Sequence, residues 1–335
     1  MRNIFEILKP VVRGKLELNA PMAKYSGLGV GGPADLLFIP ADIADLQTAL
    51  SQTPDPRPQI TILGGGFNVL IRDGGIRGLT IVMQSIGGVT FSESHLPRSG
   101  KDFHENVLPS AKGVFRRNTP HLGSAITADT GTSVIALSHY AAKAGISGFE
   151  FLCGIPGTLG GAIKGNVGAY ESNISGIGAL IETVDVMDYA GNIKTLAADE
   201  CGFEYRKSAL PENHIIISTT MRGTSGDPET IRAKMADYTA RRLASQPQGV
   251  KTCGSLFKNP PNTSAGKLID ECGWRGKEIN GAMMSEKHAN FLVNTGTATA
   301  TDLENLAEAV RTDVKSKTGI ELEWEIKRLG EIIQH

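Results

Sequence analysis

The sequence predicts an α+β fold with more than one domain, on three observations. Helical and strand periods both recur along the chain, glycine is over-represented, and the composition changes near Arg222. At 335 residues the chain is long enough for two or three cores. Its 40 glycines exceed the usual share of about 7% with no collagen period, so many backbone sites need tight turns or close ligand approach.

The elements follow in chain order. Pro40-Ala41-Asp42 opens an amphipathic helix with Ile43, Leu46 and Leu50 on one face. "PQITILGGG" is a short apolar strand running into glycines, and "GLTIVMQSI" is another strand. The polar, proline-bearing stretch from about 91 to 122 has no sustained period and reads as a long loop or insertion. Ser133 caps a helix with Val134, Leu137 and Ala141 inward, stopped by Gly145. "IETVDVMDYAGNIKTL" alternates on both sides of Gly191-Asn192, a hairpin pattern, and "NHIIISTTM" is a further strand.

Past a boundary near Arg222, Asp227-Pro228 starts a helix that runs toward Arg241-Arg242. Thr301 and Glu304 form a capping box ahead of Leu303, Leu306, Ala307, Val310 and Val314, and Gly319 ends that helix. "IELEWEIKRLG" alternates strictly, with Ile320, Leu322, Trp324 and Ile326 opposite Glu321, Glu323, Glu325 and Lys327, which predicts a half-buried strand.

A net charge of −1 gives no global field to attract nucleic acid or an anionic membrane. Cys153, Cys201, Cys253 and Cys272 lack metal-type spacing and are too sparse for a disulfide framework. The N-terminal residues carry charges throughout and show neither a signal-peptide pattern nor a bilayer-length apolar run. The expectation is a reduced, cytoplasmic compartment.

Two glycine-rich stretches carry the chemistry. "ILGGGFNVLIRDGG" places Gly64, Gly65 and Gly66 after a strand, but Val69 stands where a Rossmann fingerprint needs its third glycine. No helix pattern follows, and Gln84 and Ser85 lie where the acidic residue is due, so a nicotinamide dinucleotide fold does not fit. "CGIPGTLGGAIKGNVGAY" supplies a second loop, with Gly157, Thr158, Gly160 and Gly161. Successive backbone N–H groups freed by glycine make concave anion sites, and two such loops could clasp one pyrophosphate from both sides.

These stretches resemble the noncovalent FAD-binding fold of the vanillyl-alcohol-oxidase type. More closely, the chain resembles the UDP-N-acetylenolpyruvoylglucosamine reductase family. The carriers are "GGPADLLFIPADIADL", "LGGGFNVLIRDGGIRG", "GFEFLCGIPGTLGGAIKGNVGAY", "CGFEYRKSAL", "GSLFKNP", "SEKHANFLVN" and "LEWEIKRLG", in that order over nearly the whole chain. The resemblance implies a two-part FAD-binding domain (1–85 and 86–222, with the polar insertion), a smaller α+β substrate-binding domain (223–319), and a C-terminal strand (320–335) that returns Glu325 to the site. It places noncovalent FAD on Gly64, Gly65, Gly66, Asn68, Val69 and Leu70 from one side, and on Gly157, Thr158, Gly160, Gly161 and Asn166 from the other.

The reaction it implies reduces an enolpyruvyl ether with NADPH through FAD. Hydride goes to the β-carbon and a proton to the α-carbon, so a proton donor and a cation beside the substrate carboxylate are needed. Ser255 matches the family's proton donor, Arg206 the arginine on the carboxylate, and Glu325 the glutamate. Arg242 and Asn259 are expected at the UDP-sugar diphosphate, with Lys287 and His288 near the substrate. Glu321, Glu323 and Glu325 share one face about 7 Å apart; Glu321 and Glu323 are expected in solvent and Glu325 near Arg206. His288 has no second ligand at metal spacing, so no metal is expected.

Gly29 and Lys164 depart from the family pattern, and the insertion is longer than usual there. The interval between Arg206 and Ser255 is too short for the tyrosine-bearing lid loop of one subtype, so the chain resembles the other. NADPH and substrate are expected to use one cleft in turn, in a monomer with no nucleic-acid or membrane partner. The alternatives are another FAD oxidase of the same superfamily and a catalytically silent nucleotide-sugar-binding protein. Such oxidases commonly lack "GSLFKNP", and Ser255, Arg206 and Glu325 speak against a silent protein.

Overall fold

A computed structural model describes residues 1–91, 125–172 and 175–333. The insertion expected at about 91–122 lies, beyond Phe91, outside these residues. The described chain is α+β, as its periods predict.

The first unit comprises α1 (Arg2–Leu8), β1 (Lys15–Pro21), β2 (Pro33–Ile39), α2 (Ile43–Gln52), β3 (Ile60–Leu63), β4 (Val69–Ile71) and β5 (Ile76–Val82). Its sheet runs β1-β2-β5-β3, with β1 antiparallel to β2 and the other pairs parallel. The Asp42 carboxylate accepts from the Asp45 N–H and so caps α2, as the sequence predicts. That capping lets Leu46, Ala49 and Leu50 pack with Leu36, Phe38 and Ile81 from the sheet. The sheet ends β3 at Leu63, so the glycines that follow leave from its carboxyl edge.

The second unit comprises β6 (Val89–Phe91), β7 (Ala125–Asp129), α3 (Val134–Lys143), β8 (Ile146–Ser147), α4 (Leu159–Lys164), β9 (Ile181–Asp188), β10 (Ile193–Ala197), β11 (His214–Arg222), β12 (Thr224–Ser225) and α5 (Pro228–Ser245). Its five-stranded sheet is antiparallel throughout, in the order β10-β9-β11-β7-β6. Ser133 caps α3, and the β9–β10 hairpin turns at Gly191. α5 lies beyond the boundary expected at Arg222, yet it buries Ile231, Met235 and Tyr238 in this unit's core. These three residues, spaced by four and three, form one helical face. The change in composition read as a boundary is the helix's polar outer face.

The third unit comprises β13 (Lys251–Ser255), α6 (Ala265–Glu271), β14 (Glu278–Ile279), β15 (Ala282–Met284), β16 (Phe291–Asn294), α7 (Ala300–Thr318) and β17 (Lys327–Leu329). Its sheet runs β13-β16-β15-β14, and Leu303, Leu306, Val310 and Val314 of α7 pack in the same core as Leu268 and Ile269 of α6. The capping box of α7 is Thr299 with Asp302, not Thr301 with Glu304. The helix begins a step earlier because Thr301 bonds Asp73 and Glu304 bonds Arg72.

The C-terminal alternation is observed as burial but not as a full strand. Leu322 and Ile326 are buried, yet 320–326 makes only a single antiparallel bridge, Trp324 to Phe257. Pairing resumes at β17, which runs parallel to β4 and so returns the chain to the first unit. No helix among the described residues is long and apolar enough to cross a membrane.

Candidate active site

The two glycine loops meet. A Cβ at Gly64 would collide with Thr158 Oγ1, and one at Gly65 would press on Gly157 Cα. Only glycine permits this approach of the loop after β3 to the loop before α4. Gly157 has φ +127° and open space where a side chain would be. Beside the junction is a cleft of about 400 Å³ lined by Gly65, Phe67, Ser85, Thr132, Gly157 and Thr158, among others. Gln84 also lines it and donates to the Gly64 carbonyl at 3.1 Å.

Thr158 is the feature of the cleft that best fits a ligand. It precedes α4 at the capping position, but its side chain caps nothing. Its Oγ1 is buried and has no hydrogen-bond partner among the described residues. Leaving such a hydroxyl unpaired costs about 1–3 kcal/mol, so native proteins rarely tolerate it without a partner to come. A pyrophosphate-bearing cofactor held from both sides fits Gly64, Gly65, Gly157 and Thr158.

Several residues expected at the cofactor also carry bonds that hold the fold. The Gly160 N–H donates to the Thr130 carbonyl at 2.8 Å, and a Cβ there would strike Thr130. Asn166 is buried with φ +41°; its amide donates to the Ser175 and Glu204 carbonyls and accepts from the Gly178 N–H. Its side-chain polar atoms are therefore committed to joining loops. Val69 and Leu70 belong to β4, whose ladder partner is β17, and the Leu70 side chain packs in the third unit's core. The Asn68 carbonyl accepts from the Lys327 N–H at 3.0 Å. Gly66 turns the chain at φ +72° against Tyr25, and Gly161 is exposed beside Thr158. The sequence reading missed Ser85, Gly131, Thr132 and Ser133 of the lining. Gly131-Thr132-Ser133 ends on the cap of α3 and carried a helix-start signal that was not connected to a cleft.

The chain brings Arg206 and Glu325 together across 119 positions. Arg206 Nε donates to Glu325 Oε1 at 3.0 Å, with the two side chains only 17% and 18% exposed. Arg206 has φ +56°, a conformation that costs a non-glycine residue free energy and persists where the surroundings enforce it. Here the enforcement is a tight turn in which the N–H groups of Glu204 and Lys207 donate to each other's carbonyls. Asn166 bonds the same Glu204 carbonyl from the cofactor-loop side. Burial pushes the Glu325 carboxyl above its ordinary range, and Arg206 and Lys258 oppose that rise without overcoming it.

Ser255 ends β13, just past a register break at Gly254, which has φ +80° and open space on its side-chain face. The Leu256 carbonyl accepts from the Glu325 N–H at 2.9 Å, and the Glu323 carbonyl from the Lys258 N–H at 2.8 Å. Residues 323–325 thus lie along 256–258, which sets Glu325 beside the Ser255 end of β13. The Asn68 amide also donates to the Glu325 carbonyl at 3.4 Å, tying this segment to the glycine loop. Glu321 and Glu323 are exposed, as expected, and form surface ion pairs, Glu321 with Arg311 and Lys315 and Glu323 with Lys258.

Arg242 is half-buried near the end of α5, packed against Gly154, and makes no ion pair among the described residues. Burial lowers its pKa, the state of a guanidinium removed from water without an anion. Asn259 Oδ1 accepts from the Ala265 N–H at 3.1 Å, and Lys287 Nζ donates to the Leu243 carbonyl at 2.5 Å. His288 Nδ1 accepts from the Asn290 N–H at 3.2 Å, and burial lowers its pKa. These bonds anchor the loops that carry Asn259, Lys287 and His288. No cluster able to hold a metal ion occurs among the described residues.

Comparison with known proteins bears on the same regions. Residues 246–329 match the family model described as UDP-N-acetylenolpyruvoylglucosamine reductase, C-terminal domain, and residues 117–197 match the one described as FAD binding domain. The chain is 42% identical over 323 residues to the UDP-N-acetylenolpyruvoylglucosamine reductase of Caulobacter vibrioides, covering 96% of this chain and 97% of the relative. It is 43% identical over 323 residues to the enzyme of that name from Phenylobacterium zucineum, with the same coverage. The crystal structure of UDP-N-acetylenolpyruvylglucosamine reductase from Thermus caldophilus superposes with a TM-score of 0.71 at 31% identity, covering 95% of this chain and 99% of that one. The third unit, which the first family model matches, and near end-to-end likeness to the two relatives lead to one conclusion: this chain belongs to the UDP-N-acetylenolpyruvoylglucosamine reductase family.

Proposed function

We propose that the protein reduces UDP-N-acetylenolpyruvoylglucosamine to UDP-N-acetylmuramate, a step toward peptidoglycan precursors, with NADPH as reductant and noncovalent FAD. The observation that carries this reading is the buried Arg206–Glu325 pair beside Ser255, tied through Asn68 to the glycine loop of the cleft. When bound, FAD supplies the hydride, drawn from NADPH, that saturates the enolpyruvyl β-carbon. Gly64, Gly65, Gly157 and Thr158 would hold its pyrophosphate.

Arg206 meets the substrate carboxylate, where negative charge grows as the β-carbon is reduced. Its strained turn and its bond to Glu325 fix the guanidinium before substrate arrives, so little reorganisation remains for the reaction. Ser255 gives its hydroxyl proton to the α-carbon. Arg242 takes the diphosphate of the sugar nucleotide, and Asn259, Lys287 and His288 shape the wall around it. The protein works as a cytoplasmic monomer, and NADPH and the sugar nucleotide occupy the cleft in turn.

The decisive experiment is NADPH oxidation by the purified, flavin-loaded protein with and without the enolpyruvyl sugar nucleotide. Consumption that depends on the sugar nucleotide is expected, with NADPH and substrate competing at high substrate. A protein that takes up no flavin, or oxidises NADPH at one rate whether or not the sugar nucleotide is present, would refute the proposal.

A further inference from the structure

Glu325 has a neighbour whose surroundings the reaction does not account for. In the extended segment 320–326, successive side chains face opposite ways. Glu325 points toward Arg206, and Trp324 toward α7. The indole is held on three sides: Trp324 Nε1 donates to Glu308 Oε1 at 3.0 Å, the Arg328 guanidinium lies 4.4 Å from the ring centroid, and Phe257, fully buried, meets the ring at 5.3 Å and 61°. The same Glu308 oxygen accepts from Arg328 at 3.1 Å, and the other oxygen from Arg311 at 2.9 Å.

The clamp continues into the first unit. Arg328 also donates to Glu304 at 3.0 Å, and Glu304 receives both Nε and an Nη of Arg72 at 2.9 and 2.8 Å. Arg72 directly follows β4, the strand that leaves the glycine loop. Its neighbour Asp73 accepts from the Ala300 and Thr301 N–H groups at the start of α7. A continuous path of charged bonds thus joins the cofactor-loop strand, helix α7 and the residue before Glu325. The backbone is tied to 256–258 by the Glu325–Leu256 and Lys258–Glu323 bonds, but between Ile320 and β17 its sheet pairing is one bridge, at Trp324, so side chains set much of its position.

We propose that Trp324 is a positioning residue: clamped by Glu308, Arg328 and Phe257, its indole fixes the extended segment so that the Glu325 carboxylate meets Arg206, and Glu308 acts through it. This rests on the role proposed above for the Arg206–Glu325 pair and deepens it. A displacement of about an ångström at a reacting geometry costs roughly 100-fold in rate, so a clamp of this kind is read out in turnover rather than in folding.

The test uses the flavin-loaded full chain. Trp324→Phe keeps an aromatic ring and loses the pyrrole ring with its N–H donor. It is expected to slow reduction of the enolpyruvyl sugar by pre-reduced enzyme roughly 10- to 100-fold, while NADPH still reduces the bound flavin at the wild-type rate. Glu308→Gln, which keeps an oxygen acceptor for the indole, should retain most of the rate; Glu308→Ala should match Trp324→Phe. In a Glu325→Gln background, Trp324→Phe should add no further loss, because it acts through the missing carboxylate.

An activity-independent arm follows the Glu325 carboxyl by carbon NMR, with Glu325→Gln as the blank. The groups facing it are Arg206, Lys258 and the Cys253 thiol. A Glu325 carboxylate that no longer meets Arg206 loses the contact that opposes its burial, so its titration should move further up in Trp324→Phe. Equal slowing of both half-reactions, an additive loss with Glu325→Gln, or an unmoved titration would each overturn the proposal. If the wild-type protein fails to reduce the sugar nucleotide, the proposed function falls, and the titration still decides the role of Trp324.

Discussion

Replacing Thr158 by valine should move two quantities in opposite directions. Valine keeps the shape of threonine and removes only the hydroxyl. That hydroxyl is buried and without a partner among the described residues, and it makes no cap bond to α4. In the protein without cofactor, an unpaired buried hydroxyl costs about 1–3 kcal/mol, so its removal should stabilise the flavin-free second unit by about 1 kcal/mol. With cofactor, the hydroxyl becomes a donor to an ionised pyrophosphate, a bond of about 1.5–3 kcal/mol. Its loss should weaken FAD binding roughly 10- to 100-fold. Urea unfolding of the flavin-free protein and a flavin-fluorescence titration measure the two effects. A Thr158→Val protein that is less stable without flavin, yet binds FAD with unchanged affinity, would refute the reasoning: the hydroxyl would then have a structural partner and no cofactor role.

Three further outcomes are expected. Gly64→Ala places a methyl against Thr158 Oγ1 and should force the two loops apart, so the protein should purify colourless and resist flavin reconstitution while its far-ultraviolet circular dichroism stays wild-type; a yellow protein would refute the clasp. Arg242→Ala should raise the KM for the sugar nucleotide by roughly 10-fold or more, as a charge-assisted bond is lost, and unchanged steady-state KM would remove Arg242 from the substrate site. Glu304 is pushed up by burial, but Arg72 and Arg328 together hold its carboxyl below the ordinary range. A carboxylate depressed in the folded state stabilises above its unfolded pKa of about 4.3 and loses that contribution as pH falls through the folded value. Glu304→Gln should therefore cost about 2–4 kcal/mol at pH 7, with the gap to wild type narrowing below about pH 4; a gap in urea stability that stays constant with pH would contradict this.

Local chemistry made much of the fold legible. Asp42, Ser133 and Asp227 each cap the helix they were expected to start, because a short oxygen-bearing side chain before an apolar period has few other uses. Gly191 turns its hairpin because the turn needs a positive φ. The same local logic misplaced the cap of α7. Thr301 and Glu304 have the right types and spacing, but Asp73 and Arg72, more than 200 positions away, take them. At Asn166 and Gly160 the sequence shows that a polar or small residue is required, while only the fold shows the Glu204 and Thr130 neighbours they meet.

The sequence by itself determined the class of fold, the helix starts, the two glycine loops and, through motif resemblance, the expectation that Arg206, Ser255 and Glu325 share one site. These are properties of short stretches, set by backbone sterics, capping and the periodicity of burial. Only the tertiary structure decided that Gly64 abuts Thr158, that α5 belongs to the second unit, and that Arg206 pairs with Glu325 while Arg72, Glu304 and Arg328 bind the C-terminal segment to the cofactor-loop strand. Each of these depends on where distant elements come to rest once their apolar faces are buried. Burial rewards any well-packed partner, so no period or spacing along the chain announces which one it will be.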